Sequence, residues 1–155
     1  AGQLQTFVSQ QSESAERARL LSQIVVKIRR SLSPDDIFTA SVDEIRDFIK
    51  VDRVVIYRFA PDYLSGTITT ESVAPGWTKA LGKIINDPME ATLVDRYRDG
   101  RVWSMEDLRK TSLTHCHCEI LERLEVQANV VAPILQNGEL IGLICAHQCS
   151  GPRQW

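Results

Sequence analysis

The sequence predicts an α+β domain built on an antiparallel sheet. Three observations predict it: apolar residues recur at helical spacing up to Ile49, two pairs of β-rich segments follow, and a long irregular excursion separates the pairs. The 155 residues suit one domain, with residues 1–32 as a helix leading into it and 33–155 as the domain itself.

The elements follow in order. From about Phe7 to Arg30, Leu20, Leu21, Ile24, Val25 and Ile28 form one apolar stripe, opposite Glu13, Glu16, Arg17, Arg19 and Lys27. The stripe suits either this domain's own sheet or a second copy of the helix in a homodimer. Ser33 caps a second helix with Pro34 at its first position, and Ile37, Phe38, Val42, Ile45, Phe48 and Ile49 supply its apolar face. Val51–Phe59 and Thr67–Val73 read as strands around Pro61-Asp62 and Ser65-Gly66, and Pro75-Gly76 ends the pair. In the excursion, a short helix near Leu93–Arg98 stops at Gly100, a short strand lies near Arg101–Ser104, and Cys118–Glu125 is another short helix. Val126–Leu135 and Glu139–Gln148 flank Gln136-Asn137-Gly138, a strong hairpin signal. An excursion of that length is the kind that closes over a ligand. The chain stops at Trp155, soon after the last strand, as expected of a piece of a longer protein.

The apolar share is 43%, the charged share 25% and the net charge −2, without a basic stripe for nucleic acid. No apolar run is long enough to span a membrane, and no signal peptide opens the chain, so a cytoplasmic location is expected. Cys116, Cys118, Cys145 and Cys149 all lie in the last third, and reduced thiols suit this composition better than a disulfide framework.

His115-Cys116-His117-Cys118 is the densest chemical cluster. Its residues are metal ligands by type, but zinc motifs space their ligands more widely, so no metal is expected. Cys118, Cys145 and Cys149 read as small hydrophobes packed in or near the core. Cys116 differs. With Thr114 as cap it falls in the first turn of a helix, where backbone N–H groups and the helix dipole favour a thiolate. Such a thiolate serves as a nucleophile or as the attachment point of an electrophile, and both uses stay open here.

Three segments stand out: Cys116-His117 with Glu119-Ile120-Leu121, Val126-Gln127-Ala128-Asn129-Val130-Val131-Ala132-Pro133-Ile134, and Leu143-Ile144-Cys145-Ala146-His147-Gln148-Cys149-Ser150. Asp52-Arg53-Val54 through Tyr57-Arg58-Phe59, Glu71-Ser72-Val73 with Gly76-Trp77, and Tyr97-Arg98-Asp99-Gly100-Arg101-Val102 add to these. Together, in this order and spacing, they resemble cyanobacteriochrome GAF domains, the bilin-binding photoreceptors of the phytochrome superfamily, and the resemblance covers about Ile37 to Arg153.

The resemblance implies a GAF fold, with helices on one face of a central antiparallel sheet and a bilin pocket on the other, cut before its C-terminal helix. It implies a light sensor and not an enzyme. A linear tetrapyrrole, phycocyanobilin by default or biliverdin, would be joined to Cys116 and switch by Z/E isomerisation of its C15=C16 bond. His117 would pack on the central rings, Asp87 would face the pyrrole nitrogens, Arg96 and Tyr97 would lie near a propionate, and His147 would lie toward ring D or a propionate. The output would be a histidine kinase, cyclase or chemotaxis-type module of a larger signalling protein. Plainer roles exist for three of these: Arg96 as a solvated surface charge, His147 as a satisfied core histidine, Asp87 as a turn residue before Pro88.

The departures matter too. One subfamily has Asp-X-Cys-Phe where this chain has Asp87-Pro88-Met89-Glu90; Met89 cannot form the second adduct behind blue or violet absorption, so a two-cysteine state is not expected unless Cys118 substitutes. The red/green subfamily has a Trp where this chain has Ile85. The spacing from Asp87 to Tyr97 is about one residue short, which makes Asn86 an alternative to Asp87. A carboxyl at Glu90 buried beside the pigment would shift its colour, so a far-red dark state is expected. The competing functions are a thiol enzyme resembling free methionine sulfoxide reductase and an unpigmented small-molecule or cyclic-nucleotide GAF module. The Asn-Lys-Phe-Asp-Glu signature of the latter is absent.

Overall fold

The computed structural model describes the backbone of residues 2–30, 35–113 and 115–155, and the side chains of residues 9–23, 40–113 and 117–155. Ser33, Pro34 and Thr114, expected as caps and a helix start, lie outside the described residues, as do the side chains of Ile24, Val25, Ile28, Ile37, Phe38 and Cys116.

Two helices come first, α1 (Gly2–Arg30) and α2 (Asp35–Ile49), followed by strands β1 (Arg53–Phe59), β2 (Gly66–Val73) and β3 (Ile84–Ile85). Helix α3 (Ala91–Arg98), strand β4 (Trp103–Met105), a 3-10 turn (Leu108–Lys110) and helix α4 (His115–Arg123) form the excursion. Strands β5 (Ala128–Gln136) and β6 (Glu139–Gln148) close the domain. One antiparallel sheet holds the six strands in the order β3-β2-β1-β6-β5-β4. The fold is the expected α+β one.

Strands β1, β5 and β6 are buried on both sides, which explains their near-continuous apolar sequence. Alternate residues go to opposite faces. Val54, Ile56, Ile144 and Ala146 meet Val42 and Ile45 of α2 on one face. Val55, Tyr57, Leu143 and Cys145 belong to a second core on the other face, with residues of α3 and α4. Arg46 of α2 also donates from Nε to Ser72 Oγ of β2 at 2.8 Å. Helix α1 touches α2 and β5, yet from Ser9 to Gln23 its side chains are exposed apart from half-buried Leu20.

The β5–β6 hairpin turns on Asn137 and Gly138, both at positive φ (51° and 79°), which is the backbone a two-residue hairpin needs. Three elements depart from expectation. Strand β3 has two residues, too few to show an alternation. The 3-10 turn is capped by the Asp107 side chain, which accepts from Arg109 N. Helix α4 begins at His115 and not at Cys118, so Cys116 and His117 both fall in its first turn.

Candidate ligand cavity

The cavity lies on the face of the sheet opposite α2. Its floor is made by Val55, Tyr57, Val131, Leu143, Cys145 and His147, and its walls by Leu93 and Tyr97 of α3, Ile120 and Leu121 of α4, and the Ile85–Met89 segment. The lining is mostly aliphatic and aromatic. Tyr57 and Phe59 meet edge to face with centroids 5.1 Å apart, and Tyr63 packs on Phe59 at 5.2 Å. Gly66 makes room for this row, because a Cβ there would fall 2.2 Å from the Tyr57 ring. Burial pushes the Tyr57 and Tyr97 hydroxyls up to about 12, so both stay protonated.

Two polar arrangements interrupt the apolar lining. At one wall, His117 Nδ1 lies 2.8 Å from Asp87 Oδ2, joining α4 to the segment after β3. Both side chains line the cavity and are partly exposed. At the floor, His147 is buried, and its Nδ1 lies 3.3 Å from Arg53 Nη1. A guanidinium has donors only, so Nδ1 accepts and the ring proton sits on Nε2. Burial, with Arg53 adding to it, pushes the imidazole down to about 3, so His147 is neutral.

Arg53 is itself fully buried at the start of β1. Its Nη1 donates to Leu124 O at 2.8 Å and its Nη2 to Thr78 O at 2.5 Å, while Nε stands 3.7 Å from the Glu71 carboxylate, an ion pair beyond hydrogen-bond reach. Glu71 also accepts from Ala80 N at 2.6 Å. Glu125, at φ 62°, accepts from the amide and hydroxyl of Thr78, and these hold its carboxyl below its usual value. This network ties β1, β2, β6, the turn after α4 and the Thr78–Ala80 loop behind His147.

The structure brings Asp87, Tyr97, His117 and His147 together around one cavity. It places three other expected residues elsewhere. Asn86 is exposed and lines a neighbouring groove, so Asp87 is the carboxylate that faces the cavity. Glu90 is exposed at the N-cap of α3, where its carbonyl accepts from Leu93 N and Val94 N; it is not the buried carboxyl expected. Arg96 is exposed on α3, outside the cavity lining. Arg96 follows from helical phase, because α3 turns Leu93, Val94 and Tyr97 inward and so turns Arg96 out, whereas Glu90 precedes the helix as its N-cap in extended backbone (φ −64°, ψ 146°), which directs its side chain independently of that phase.

Cys116 lies in the first turn of α4, one residue before His117, and its side chain is outside the described residues. Among the described residues Cys118 is half-buried, and Cys145 and Cys149 are buried free thiols that burial pushes up to about 12 and 11. No group of three or more potential metal ligands occurs among the described residues.

Sequence reasoning gave no role to Arg53, Asn129 or Trp103. Asn129 and Trp103 line the cavity and Arg53 supports it. The available signal was a polar residue at an inward position of an otherwise apolar strand, Arg53 ahead of Val54–Tyr57 and Asn129 ahead of Val130–Leu135.

A largely apolar cavity with an inward carboxylate, a neutral histidine and the Cys116-bearing helix at its wall has the lining of a small-molecule site. The GAF domain model matches residues 33–155, and the chain belongs to the GAF domain family. Among curated proteins it is 44% identical over 150 residues to a putative methyl-accepting chemotaxis protein of Synechocystis, covering 96% of this chain and 15% of that one. It is 32% identical over 169 residues to the circadian input-output histidine kinase CikA of Synechocystis, covering 94% and 22%. The chain thus spans under a quarter of either relative. Among solved structures it resembles the blue-light absorbing form of the PixJ GAF domain of Thermosynechococcus elongatus (42% identity, 76% of this chain and 70% of that one, TM-score 0.73). It also resembles the far-red absorbing dark state of JSC1_58120g3 with bound biliverdin (33%, 87% and 85%, TM-score 0.74). A third likeness is the phycocyanobilin-bound GAF domain of a cyanobacterial phytochrome (30%, 90% and 82%, TM-score 0.71). Within the family, the chain groups with the cyanobacteriochrome domains.

Proposed function

We propose that this chain is a photosensory domain that carries a linear tetrapyrrole on Cys116. The observation that supports this best is the cavity, where Asp87 faces inward against His117, one residue from Cys116. When bound, the pigment supplies light absorption and Z/E isomerisation of its C15=C16 bond.

The residues fit such a group. The aromatic and aliphatic lining suits a flat conjugated system and excludes water from it. Asp87 offers a carboxylate to pyrrole N–H groups, a charge-assisted pairing if the ring system is protonated. His117 holds Asp87 in that orientation. Tyr97 and His147 close the cavity with groups that keep their protons, at the hydroxyl and at Nε2. The enclosed volume is about 160 Å³, under the roughly 300 Å³ at the low end of small-molecule sites, so an extended tetrapyrrole would also occupy the open side. There the cavity meets a groove of about 370 Å³ through the shared Ile85, Ile120 and Leu124.

Binding is the proposed role, not thiol catalysis: Cys145 and Cys149 stay protonated in the core. Met89 lines the cavity where a two-cysteine domain has its second cysteine, and a thioether forms no adduct. This separates the chain from blue or violet absorbers despite its likeness to PixJ. Because Glu90 is exposed, the far-red reading now rests on the likeness to the biliverdin-bound relative. Phycocyanobilin or biliverdin is the pigment proposed, and a chemotaxis-type or histidine kinase module of a longer cytoplasmic protein is the output. Among the described residues, no helix is long and apolar enough to cross a membrane.

The test is to express the chain in cells that make phycocyanobilin and record absorption before and after red or far-red light. A visible band that switches, stays with the protein through acid denaturation and is lost as a covalent adduct in Cys116→Ala is the expected result. A colourless wild-type protein from those cells would overturn the reading.

A further inference from the structure

Asn129 of β5 stands directly opposite His147 of β6 in the antiparallel register, and both face the cavity. Each is only 3% exposed. Their hydrogen-bonding states are complementary. His147 Nδ1 is taken by Arg53, which leaves Nε2–H as a donor. Asn129 Oδ1 is buried with no hydrogen-bond partner among the described residues. An orphaned carbonyl of this kind is uncommon in folded proteins and calls for an account. A leucine of similar size would fill the position without it.

We infer that Asn129 is a further ligand-binding residue beside His147, the histidine that the resemblance puts toward ring D or a propionate: the N–H of that terminal ring donates to Asn129 Oδ1 while its C=O accepts from His147 Nε2. This deepens the tetrapyrrole reading and rests on it. Directly opposed cross-strand residues have Cβ atoms about 4.5–5.5 Å apart, so their polar ends can converge on one planar amide. The other polar groups of an open-chain tetrapyrrole do not match the pair. The inner rings offer N–H without an adjacent C=O, and an ionised propionate offers acceptors only. Asn129 is thereby assigned as a binding residue that sets which end of the ligand lies at the floor.

The Cys116→Ala protein, in which pigment uptake is reversible, tests this. Phycocyanobilin is titrated into that protein and into the same protein carrying Asn129→Leu, following the visible band. The expected result is a Kd about two- to tenfold weaker with leucine, the size of one net hydrogen bond, and a displaced absorption maximum. The pigment-free melting temperature should be unchanged or higher, because leucine removes the orphaned acceptor. A merely structural asparagine would instead lower the melting temperature and leave Kd and the band alone, and that result overturns the inference. An unchanged Kd, band and melting temperature overturns it too, while the tetrapyrrole reading stands. If Asn129→Leu does not fold, Asn129→Ser carries the same comparison, because its short hydroxyl withdraws the acceptor from the floor. If neither wild type nor Cys116→Ala takes up pigment, the tetrapyrrole reading fails and this inference fails with it.

Discussion

On the face under α2, Val54, Ile56, Ile144 and Ala146 meet Val42 and Ile45 in an apolar core, with the Arg46–Ser72 hydrogen bond beside it. One residue along the same strands, Tyr57, Cys145 and His147 line a cavity whose floor holds a neutral imidazole and an unpartnered amide oxygen. The strands supply both faces, so propensity and burial do not separate them. What separates them is the element opposite. Helix α2 presses a regular apolar stripe onto one face, whereas the excursion covers the other with short helices and loops that leave space between them. The first face holds the domain together, and the second keeps polar groups ready for a ligand.

The largest effect is expected at Arg53, which braces the cavity face from behind. Arg53→Met would leave Glu71 buried without its counter-charge and the carbonyls of Leu124 and Thr78 without a donor. A loss of about 3–5 kcal/mol in urea unfolding is expected, as for breaking a buried ion pair. A loss within experimental error of zero would show that the network is dispensable.

The neighbours Ile144 and Leu143 give the most direct comparison of the two faces. Ile144→Ala opens a new hole under α2 and should cost about 2–5 kcal/mol. Leu143→Ala enlarges a space that already exists, so the cavity part of its cost should be smaller. Equal losses at the two sites would mean that the cavity face is as tightly packed as the other.

Gly66→Ala drives a methyl group into the Tyr57 ring. A loss of about 1–3 kcal/mol, typical of overpacking, is expected in the same unfolding assay. A milder effect would mean that the aromatic row shifts readily.

Per pH unit, the smallest effect concerns pH. His147 has a folded value near 3 against 6.5 in the unfolded chain, so folding favours its neutral form. The stability this supplies is complete above about pH 6.5 and is lost as pH falls from there toward 3, with a slope of at most about 1.4 kcal/mol per pH unit. Comparing pH–stability curves of wild type and His147→Gln isolates this slope. Parallel curves below pH 6.5 would show that His147 is not held neutral.

The sequence by itself determined the α+β class, the order of the elements and the Asn137-Gly138 hairpin, because these rest on local spacing and turn chemistry. The resemblance implied cavity positions for His117, His147 and Asp87 as well, and all three line it. Strand β3 was not legible, since two residues have no period to read. Arg96 was misplaced for a related reason, since an eight-residue helix is too short to declare its phase, and Glu90 because it is the extended N-cap of α3, whose direction follows its own backbone angles. Only the tertiary structure put Asp87, and not Asn86, in the cavity lining, because this depends on how the segment after β3 meets His117 across a gap of 30 residues. The Arg53–His147 contact joins residues 94 apart, and Asn129 Oδ1 has no hydrogen-bond partner among the described residues even though His147 stands opposite it. Hydrogen-bond partnership is a property of the assembled neighbourhood, and a residue's own sequence context carries no record of it.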